Sequence, residues 1–361
     1  MRRQHQPLAA ELMAAASNVL DGGQFILGSI VNEFEEEFAS ICGTAEAVAV
    51  NSGTDALLLA LRALGIGRAD EVITVPNSYV ATTTAIVLSG ATPVFVDVDA
   101  SYNLDPVCLR KALTDRTRAI VPVHLTGRPA NMAAIMKFAN EHDLDVIEDC
   151  AQAVAAEIDG QRVGSFGQVG AFSLHPLKTL NCCGDGGVMT TNDSSLAEEL
   201  RVLRNLGHQT RDRVIAWGYN SRLDSMQAAF LLVKMKYLET WTKQRQANAE
   251  FYRHNLSDLE EIECPRDTPS ARSVYHTFVI QCGRRDELRE FLAGRQIGTA
   301  VHYPLPIHLQ PAAADLGYAE GAFPVAERQA GRILSLPIYP ELNEQEMTTI
   351  SEAIHDFCAR T

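Results

Sequence analysis

Between about residues 45 and 190 the chain alternates short apolar runs with amphipathic helical patterns, and few folds accept that order. The runs are AVAV (47–50), EVITVP (71–76), TPVFVDVD (92–99), RAIVPVHL (118–125), LDVIED (144–149), GAFSLH (170–175) and GVMTT (187–191). Several are separated by TDALLLALRALG, YVATTTAIVLSG, PVCLRKALTD and NMAAIMKFANEHD, whose apolar residues recur at helical spacing. Such alternation predicts an α/β fold: a mostly parallel, seven-stranded sheet with helices on both faces. The runs are nearly continuous in apolar residues, as burial of both faces requires.

After this region the pattern changes. A long helical stretch covers about Ser225 to Asn255. VYHTFVIQC then reads as a strand, RRDELREFLAGRQ as a helix and NEQEMTTISEAIHDFCAR as a closing helix. Residues 1–244 are expected to form a large domain and 245–361 a smaller α+β domain, with residues 1–30 packing against the latter. A chain of 361 residues is long enough for both.

The formal charge of −14 and the lack of a basic stripe argue against nucleic acid as a partner. Arg2 and Arg3 are followed by no long apolar run, so a signal peptide is not expected. No stretch approaches the roughly 20 apolar residues needed to span a bilayer. These features point to a cytoplasmic protein. The eight cysteines are scattered without a CxxC pair, which favours reduced core thiols over a metal site. Adjacent Cys182 and Cys183 read as small residues of a tight loop.

Ligands of open α/β sheets gather at the carboxyl ends of the strands. Asn51–Thr54, Asn77–Tyr79, Asp149 and Lys178 all fall at or just past such ends. Lys178 sits in LHPLKTL, ahead of the glycine-rich GDGG. A desolvated lysine has a lowered pKa and becomes nucleophilic near neutral pH. Asp149 closes VIED and could hold a pyridine nitrogen protonated; Gln152, three residues on, could reach a ring hydroxyl. Together the lysine and the acid suggest a pyridoxal 5′-phosphate (PLP) site. NSGTDALLLALRALG adds a phosphate cradle, with Gly53 allowing close approach and Thr54 opening a helix. Asp55 is expected to turn away and cap that helix. Ser173 offers a hydroxyl, and Tyr79 a ring for the cofactor face. Each feature alone has a plainer reading: a surface lysine, a capping acid, an ordinary strand-to-helix turn, a core aromatic. GDGG reads as a tight turn. Asn220 and Arg222, in GYNSRLDSMQAA, read as capping or surface groups. His302 and His308, in VHYPLPIHLQP, could meet a sugar hydroxyl or a phosphate.

Taken together and in order, these motifs resemble the PLP-dependent sugar aminotransferases of the DegT/StrS group, which have the fold-type I architecture. The resemblance runs from GGQFILGSIVNEFEEEFA through NSGTDALLLAL, PNSYVATTTAI, GATPVFVDVD, VIEDCAQA, AFSLHPLKTLNCCGDGGV, RNLGH and GYNSRLDSMQAA to VHYPLPIHLQP and LSLPIYPEL. It implies that Lys178 is the Schiff-base lysine, Asp149 the acid at the pyridine nitrogen and Gln152 its neighbour at the ring oxygen. It makes Gly53, Thr54 and Ser173 the phosphate cradle and Tyr79 the stacking aromatic. Asn220 matches an asparagine reaching the phosphate from the other subunit of a homodimer. His302, Tyr303 and His308 match the substrate-side loop. His175 stands where the group often has an aromatic residue, and so marks a position for acceptor choice.

The implied reaction is a ping-pong transfer of an amino group from glutamate or glutamine to a keto sugar, with Lys178 moving protons as base and then acid. The acceptor is expected to be a nucleotide-linked 3- or 4-keto sugar, with a keto sugar phosphate or a keto cyclitol as alternatives. Pathways for amino sugars, antibiotics or polysaccharides would follow. Relatives with histidine in place of the lysine are sugar dehydratases, and some members have been read as regulators. Lys178, Asp149 and Ser173 argue against both readings here.

Overall fold

The computed structural model describes residues 2–360. Its large sheet has seven strands: β1 (Glu46–Val50), β2 (Glu71–Thr74), β3 (Thr92–Phe95), β4 (Thr117–Ile120), β5 (Asp145–Asp149), β6 (Val169–Ser173) and β7 (Gly187–Thr191), in the order β1-β7-β6-β5-β4-β2-β3. All seven apolar runs became strands. β3, β2, β4, β5 and β6 pair in parallel, while β7 runs antiparallel between β6 and β1.

Alternation within the strands explains the two-sided burial. Ala47 and Ala49 of β1 face one core with Phe172 and Val188; Val48 and Val50 face another with Ala171 and Met189. The helices covering these faces are α1 (Ala9–Gly22), α2 (Ser29–Cys42), α3 (Gly53–Ala63), α4 (Val80–Ser89), α5 (Met132–Glu141), α6 (Ser194–Arg204) and α7 (Ser225–Met235). α2 and α7 close the first face, α3, α4 and α6 the second, and α5 packs on the β4–β5 end of the sheet.

One expected helix is much reduced. PVCLRKALTD forms a single 3₁₀ turn at Pro106–Cys108 and a helix of four residues, Leu109–Ala112. Leu113 turns extended, and Thr114 is tied to Thr117 and Glu71 instead of continuing the helix. The long pattern after Ser225 is also two helices. α7 ends at Met235, and α8 (Leu238–Asn255) starts after two intervening residues, Lys236 and Tyr237. The junction expected at residues 244–245 lies inside α8.

A second sheet has three antiparallel strands, β8 (Ile262–Glu263), β9 (Phe278–Cys282) and β10 (Ile333–Leu336), with β9 central. α8, α9 (Arg285–Gly294) and α11 (Glu344–Cys358) bury their apolar faces against it, and α10 (Pro324–Ala330) leads into β10. The amino-terminal segment touches both parts. α1 packs along α7, Glu11 accepts a hydrogen bond from the Tyr237 hydroxyl at 2.5 Å, and Arg3 pairs with Glu346 of α11. Among the described residues no helix is long and apolar enough to cross a membrane.

Candidate active site

β5 ends at Asp149, which is buried. Its Oδ2 accepts the Thr82 hydroxyl at 2.7 Å, and Oδ1 the Ala151 amide at 3.1 Å. Burial raises the pKa of this carboxyl, opposed by Thr82, the Ala151 amide, Lys178 and His124. The main chain is fixed from both sides: Asp149 donates its amide to Pro122 O at 2.9 Å, and His124 donates its amide to Asp149 O at 3.0 Å. The neighbouring Glu148 side chain is fully buried and gathers the amides of Gly164, Phe166 and Gly167 at 2.9, 2.8 and 3.0 Å. His124 Nε2 lies 3.1 Å from it, and His124 Nδ1 accepts the Ala130 amide. That bond places the imidazole proton on Nε2, aimed at Glu148.

Lys178 rides on the loop joining β6 to β7. Its amide donates to His175 O at 2.8 Å, and its carbonyl accepts from Asn181 Nδ2 at 3.0 Å. Asn181 is anchored by the buried Lys234 ammonium, which donates to its carbonyl and side-chain oxygens at 2.8 and 2.9 Å. Burial lowers the Lys178 pKa, and Asp149 partly restores it. The amine is therefore more available as a nucleophile or base than a solvated lysine.

The cradle is the start of α3. Ser52, not Asp55, is its N-cap: Ser52 Oγ accepts the Asp55 amide at 3.1 Å. The Gly53 and Thr54 amides have no acceptor among the described residues, so they and the helix dipole face the cleft. Gly53 is required by packing as well as by any ligand. A Cβ there would lie 2.6 Å from the Ser173 Cβ. Gly187, the last glycine of GDGG, has a similar role, since its Cβ would meet Ser52 O at 2.3 Å. GDGG is therefore more than a tight turn: it lets β7 start directly against the cradle. Ser221 Oγ donates to Asn51 Oδ1 at 3.1 Å and ties the segment before α7 to the same turn.

Ser52, Gly53, Thr54, Tyr79, Asp149, Gln152, Ser173, His175, Lys178, His302 and Tyr303 line one cleft of about 430 Å³. Tyr79 is exposed, and its ring centroid lies 5.7 Å from that of Tyr303. Gln152 Oε1 accepts the Thr126 amide at 2.7 Å. Burial pushes the Tyr303 hydroxyl up to about 12, with Asp149 and Tyr79 adding and a hydrogen bond from Gln152 opposing. His302 Nδ1 lies 2.9 Å from Ser335 Oγ, and its pKa is lowered by burial and by Lys178. His175 is exposed at the mouth.

Two expected residues lie elsewhere. His308 is buried, 3.0 Å from Glu327 Oε1 and packed edge-on against Phe323 at 4.8 Å. Its loop turns inward after Pro306, so the ring joins the core under α10 and does not reach the cleft. Asn220 is exposed outside the cleft of its own chain, bridged to Asn205. Four polar lining residues have no counterpart in the sequence reading: Thr82, Asp185, His276 and Thr277. Thr82 stands one helical turn after Tyr79, so spacing alone could have found it. His276 and Thr277 enter from the approach to β9, more than 90 residues further along the chain, and no local pattern marks them.

A half-buried lysine in one cleft with a buried acid, an unpartnered helix start and an exposed aromatic ring suit a phosphorylated ring with a protonatable nitrogen. With a mostly parallel seven-stranded sheet, they define a fold-type I aminotransferase. The DegT/DnrJ/EryC1/StrS aminotransferase family profile matches residues 6–355, and the chain belongs to that family. It is 45% identical over 361 residues to dTDP-3-amino-3,4,6-trideoxy-alpha-D-glucose transaminase of Streptomyces venezuelae, covering 100% of this chain and 95% of that one. The crystal structure of S. venezuelae DesV in complex with a ketimine intermediate superimposes with a TM-score of 0.97 at 45% identity, over 100% of this chain and 97% of that one. NtdA from Bacillus subtilis, solved with bound cofactor PMP, matches with a TM-score of 0.92 at 30% identity, over 97% and 82% of the two chains.

Proposed function

We propose that this protein transfers an amino group from glutamate or glutamine to a nucleotide-linked 3-keto sugar, in two half-reactions that share PLP. The observation that carries the reading is the convergence of Lys178, Asp149 and the bare amides of Gly53 and Thr54 on one cleft. When bound, PLP supplies an electron sink that makes the donor Cα–H acidic. Lys178 would hold the cofactor and, once free, carry the proton between carbon atoms. Asp149 would face the ring nitrogen, and Tyr79 the ring. Gly53, Thr54 and Ser173 would take the phosphate. His175, His302 and Tyr303 would meet the acceptor. A 3-keto position is favoured over a 4-keto one because the S. venezuelae relative is named for a 3-amino sugar.

The reading extends to a homodimer. Asn220 lies beside a projecting strand pair, His208–Thr210 and Arg213–Val214, and Trp217 there is 91% exposed. A second copy covering this apolar segment would bring Asn220 to the phosphate end of its neighbour's cleft. A nucleotide-linked acceptor also suits a cytoplasmic enzyme.

The test is borohydride reduction of the yellow protein followed by peptide mapping, together with a keto-sugar panel offered with glutamate and with glutamine. A label on Lys178 and amination of a nucleotide 3-keto sugar support the reading. A colourless protein that takes up no PLP ends it.

A further inference from the structure

Lys178 sits on a segment that packing alone holds poorly. His175 and Leu177 are exposed on this chain, and Lys178 is itself half-buried. Two short-range bonds close the segment on itself: the Lys178 amide donates to His175 O at 2.8 Å, and Asn181 Nδ2 donates to Lys178 O at 3.0 Å. Both lie within the turn and would travel with it. A tie to the body of the molecule comes from α7, through two residues seven apart and therefore on one face of the helix. Gln227 Oε1 accepts the Cys183 amide at 2.8 Å, and Lys234 Nζ donates to Asn181 O and Oδ1 at 2.8 and 2.9 Å. Lys234 is fully buried and forms no ion pair with a carboxylate among the described residues; its further neighbour is Cys183 Sγ at 3.9 Å. Burying an amine is unfavourable unless its hydrogens find acceptors, and Asn181 supplies two oxygens. A lysine amine placed here donates, so Asn181 Oδ1 must face it and the Asn181 amide cannot be turned over. Nδ2 is thereby aimed at Lys178 O.

We propose that Lys234 is a positioning residue for the amino transfer: through Asn181 it fixes the main chain of Lys178, and with it the reach of the Lys178 amine across the cleft. The relay runs from Lys234 Nζ to Asn181 Oδ1 and from Asn181 Nδ2 to Lys178 O, each link at hydrogen-bond distance. Neither Lys234 nor Asn181 lines the cleft, so both act through Lys178 and not on cofactor or substrate. A group that carries a proton between two carbon atoms must meet both of them. Misplacement by about 1 Å can slow such a step roughly 10²-fold. The consequence for turnover rests on the role proposed above for Lys178, whereas the anchoring of the loop by α7 does not.

The test uses two variants of the holoenzyme. Lys234→Met removes the amine and keeps its length. Asn181→Asp keeps an oxygen for Lys234 and gives it a counter-charge, but sets a second oxygen against Lys178 O where the donor was. Each should slow the donor half-reaction about 10- to 100-fold with the donor KM little changed. Each should also raise the primary isotope effect with 2-deuterated glutamate, because proton transfer becomes the slower step. Borohydride should still label Lys178, whose amine is intact, and hydrogen exchange over residues 175–183 should quicken. Normal half-reaction rates and isotope effects in both variants overturn the positioning role. A loss confined to Lys234→Met, accompanied by a lower Tm, shows a merely structural lysine and overturns it too. If the unaltered protein takes up no PLP, the proposed function fails. Hydrogen exchange in Lys234→Met still decides the anchoring: unchanged exchange over residues 175–183 overturns it.

Discussion

Thr82 and Asp149 are joined by a 2.7 Å hydrogen bond at the floor of the cleft. The hydroxyl donates to Oδ2, which fixes the carboxylate's orientation and favours its charged form against the burial around it. A hydrogen bond to a charged group contributes about 1.5–3 kcal/mol. Thr82→Val should therefore lower kcat/KM roughly 10- to 100-fold. Lys178 should still be labelled on borohydride reduction, and Thr82→Ser should recover most of the loss. Steady-state kinetics of the three proteins decide it; a Val variant with normal kcat/KM would show that the contact is idle.

Lys178→Ala should remove the borohydride-trapped label and lower the donor half-reaction by at least the roughly 10²–10⁴-fold typical of a lost general acid–base group. Single-turnover absorbance with glutamate is the measurement. Retained turnover would take the proton-transfer role away from this residue.

Cofactor-free protein should carry a stability penalty at Asp149. Its folded pKa is raised by burial above the unfolded value. Between those two values the native state binds more protons than the unfolded state, so stability falls as pH rises through that window. The penalty is complete above the folded pKa and absent below the unfolded one. Asp149→Asn should thus raise the cofactor-free Tm at neutral pH, and the gain should vanish in acid, while catalysis is lost. Melting curves across pH check the sign. A gain that grew as pH fell would contradict it.

Arg204 and Glu35 form a buried ion pair behind β1. The Glu35 carboxylate accepts the Ala49 amide at 2.8 Å, and Arg204 donates to Ala49 O at 2.7 Å. Arg204→Met strands a buried carboxylate and should cost about 3–5 kcal/mol in urea unfolding. The double change Arg204→Met with Glu35→Leu should cost less than the single one, because no charge is left unpaired.

Gly53→Ala should weaken cofactor binding more than it weakens the fold. The added methyl meets the Ser173 Cβ at 2.6 Å, and overpacking of this kind costs about 1–3 kcal/mol. The strain falls on two cradle residues at once. Titration of cofactor-free protein with PLP measures it. Ser173→Gly in the same chain should relieve only part of the loss, because the added methyl still meets the Cα of residue 173 at 2.9 Å.

The seven strands were legible because each is a short, two-sided apolar run, and the sheet buries both faces. Lys178, Asp149 and the Gly53 turn were legible because parallel sheets collect their strand ends at one edge. His276 and Thr277 were not, since they reach the cleft from the second sheet, whose docking no local pattern encodes. His308 was misplaced for a related reason. It stands six residues after His302, but the Phe323 ring and the Glu327 carboxylate draw it into the core. PVCLRKALTD has helical spacing, yet Thr114 finds better partners in Glu71 and Thr117.

The reversed strand β7 has a consequence for the order in which the site assembles. Because β7 pairs directly with β6, the Lys178 loop is closed by a hairpin between neighbours in the chain. The cradle meets that hairpin only when β1 pairs with β7, at Glu46–Thr191, across most of the large sheet's sequence. Local pairings form faster than distant ones. During refolding, amide protection should therefore appear in Phe172 and Val188 before it appears in Val48 and Val50, so that the lysine waits, already looped, for the phosphate site to arrive.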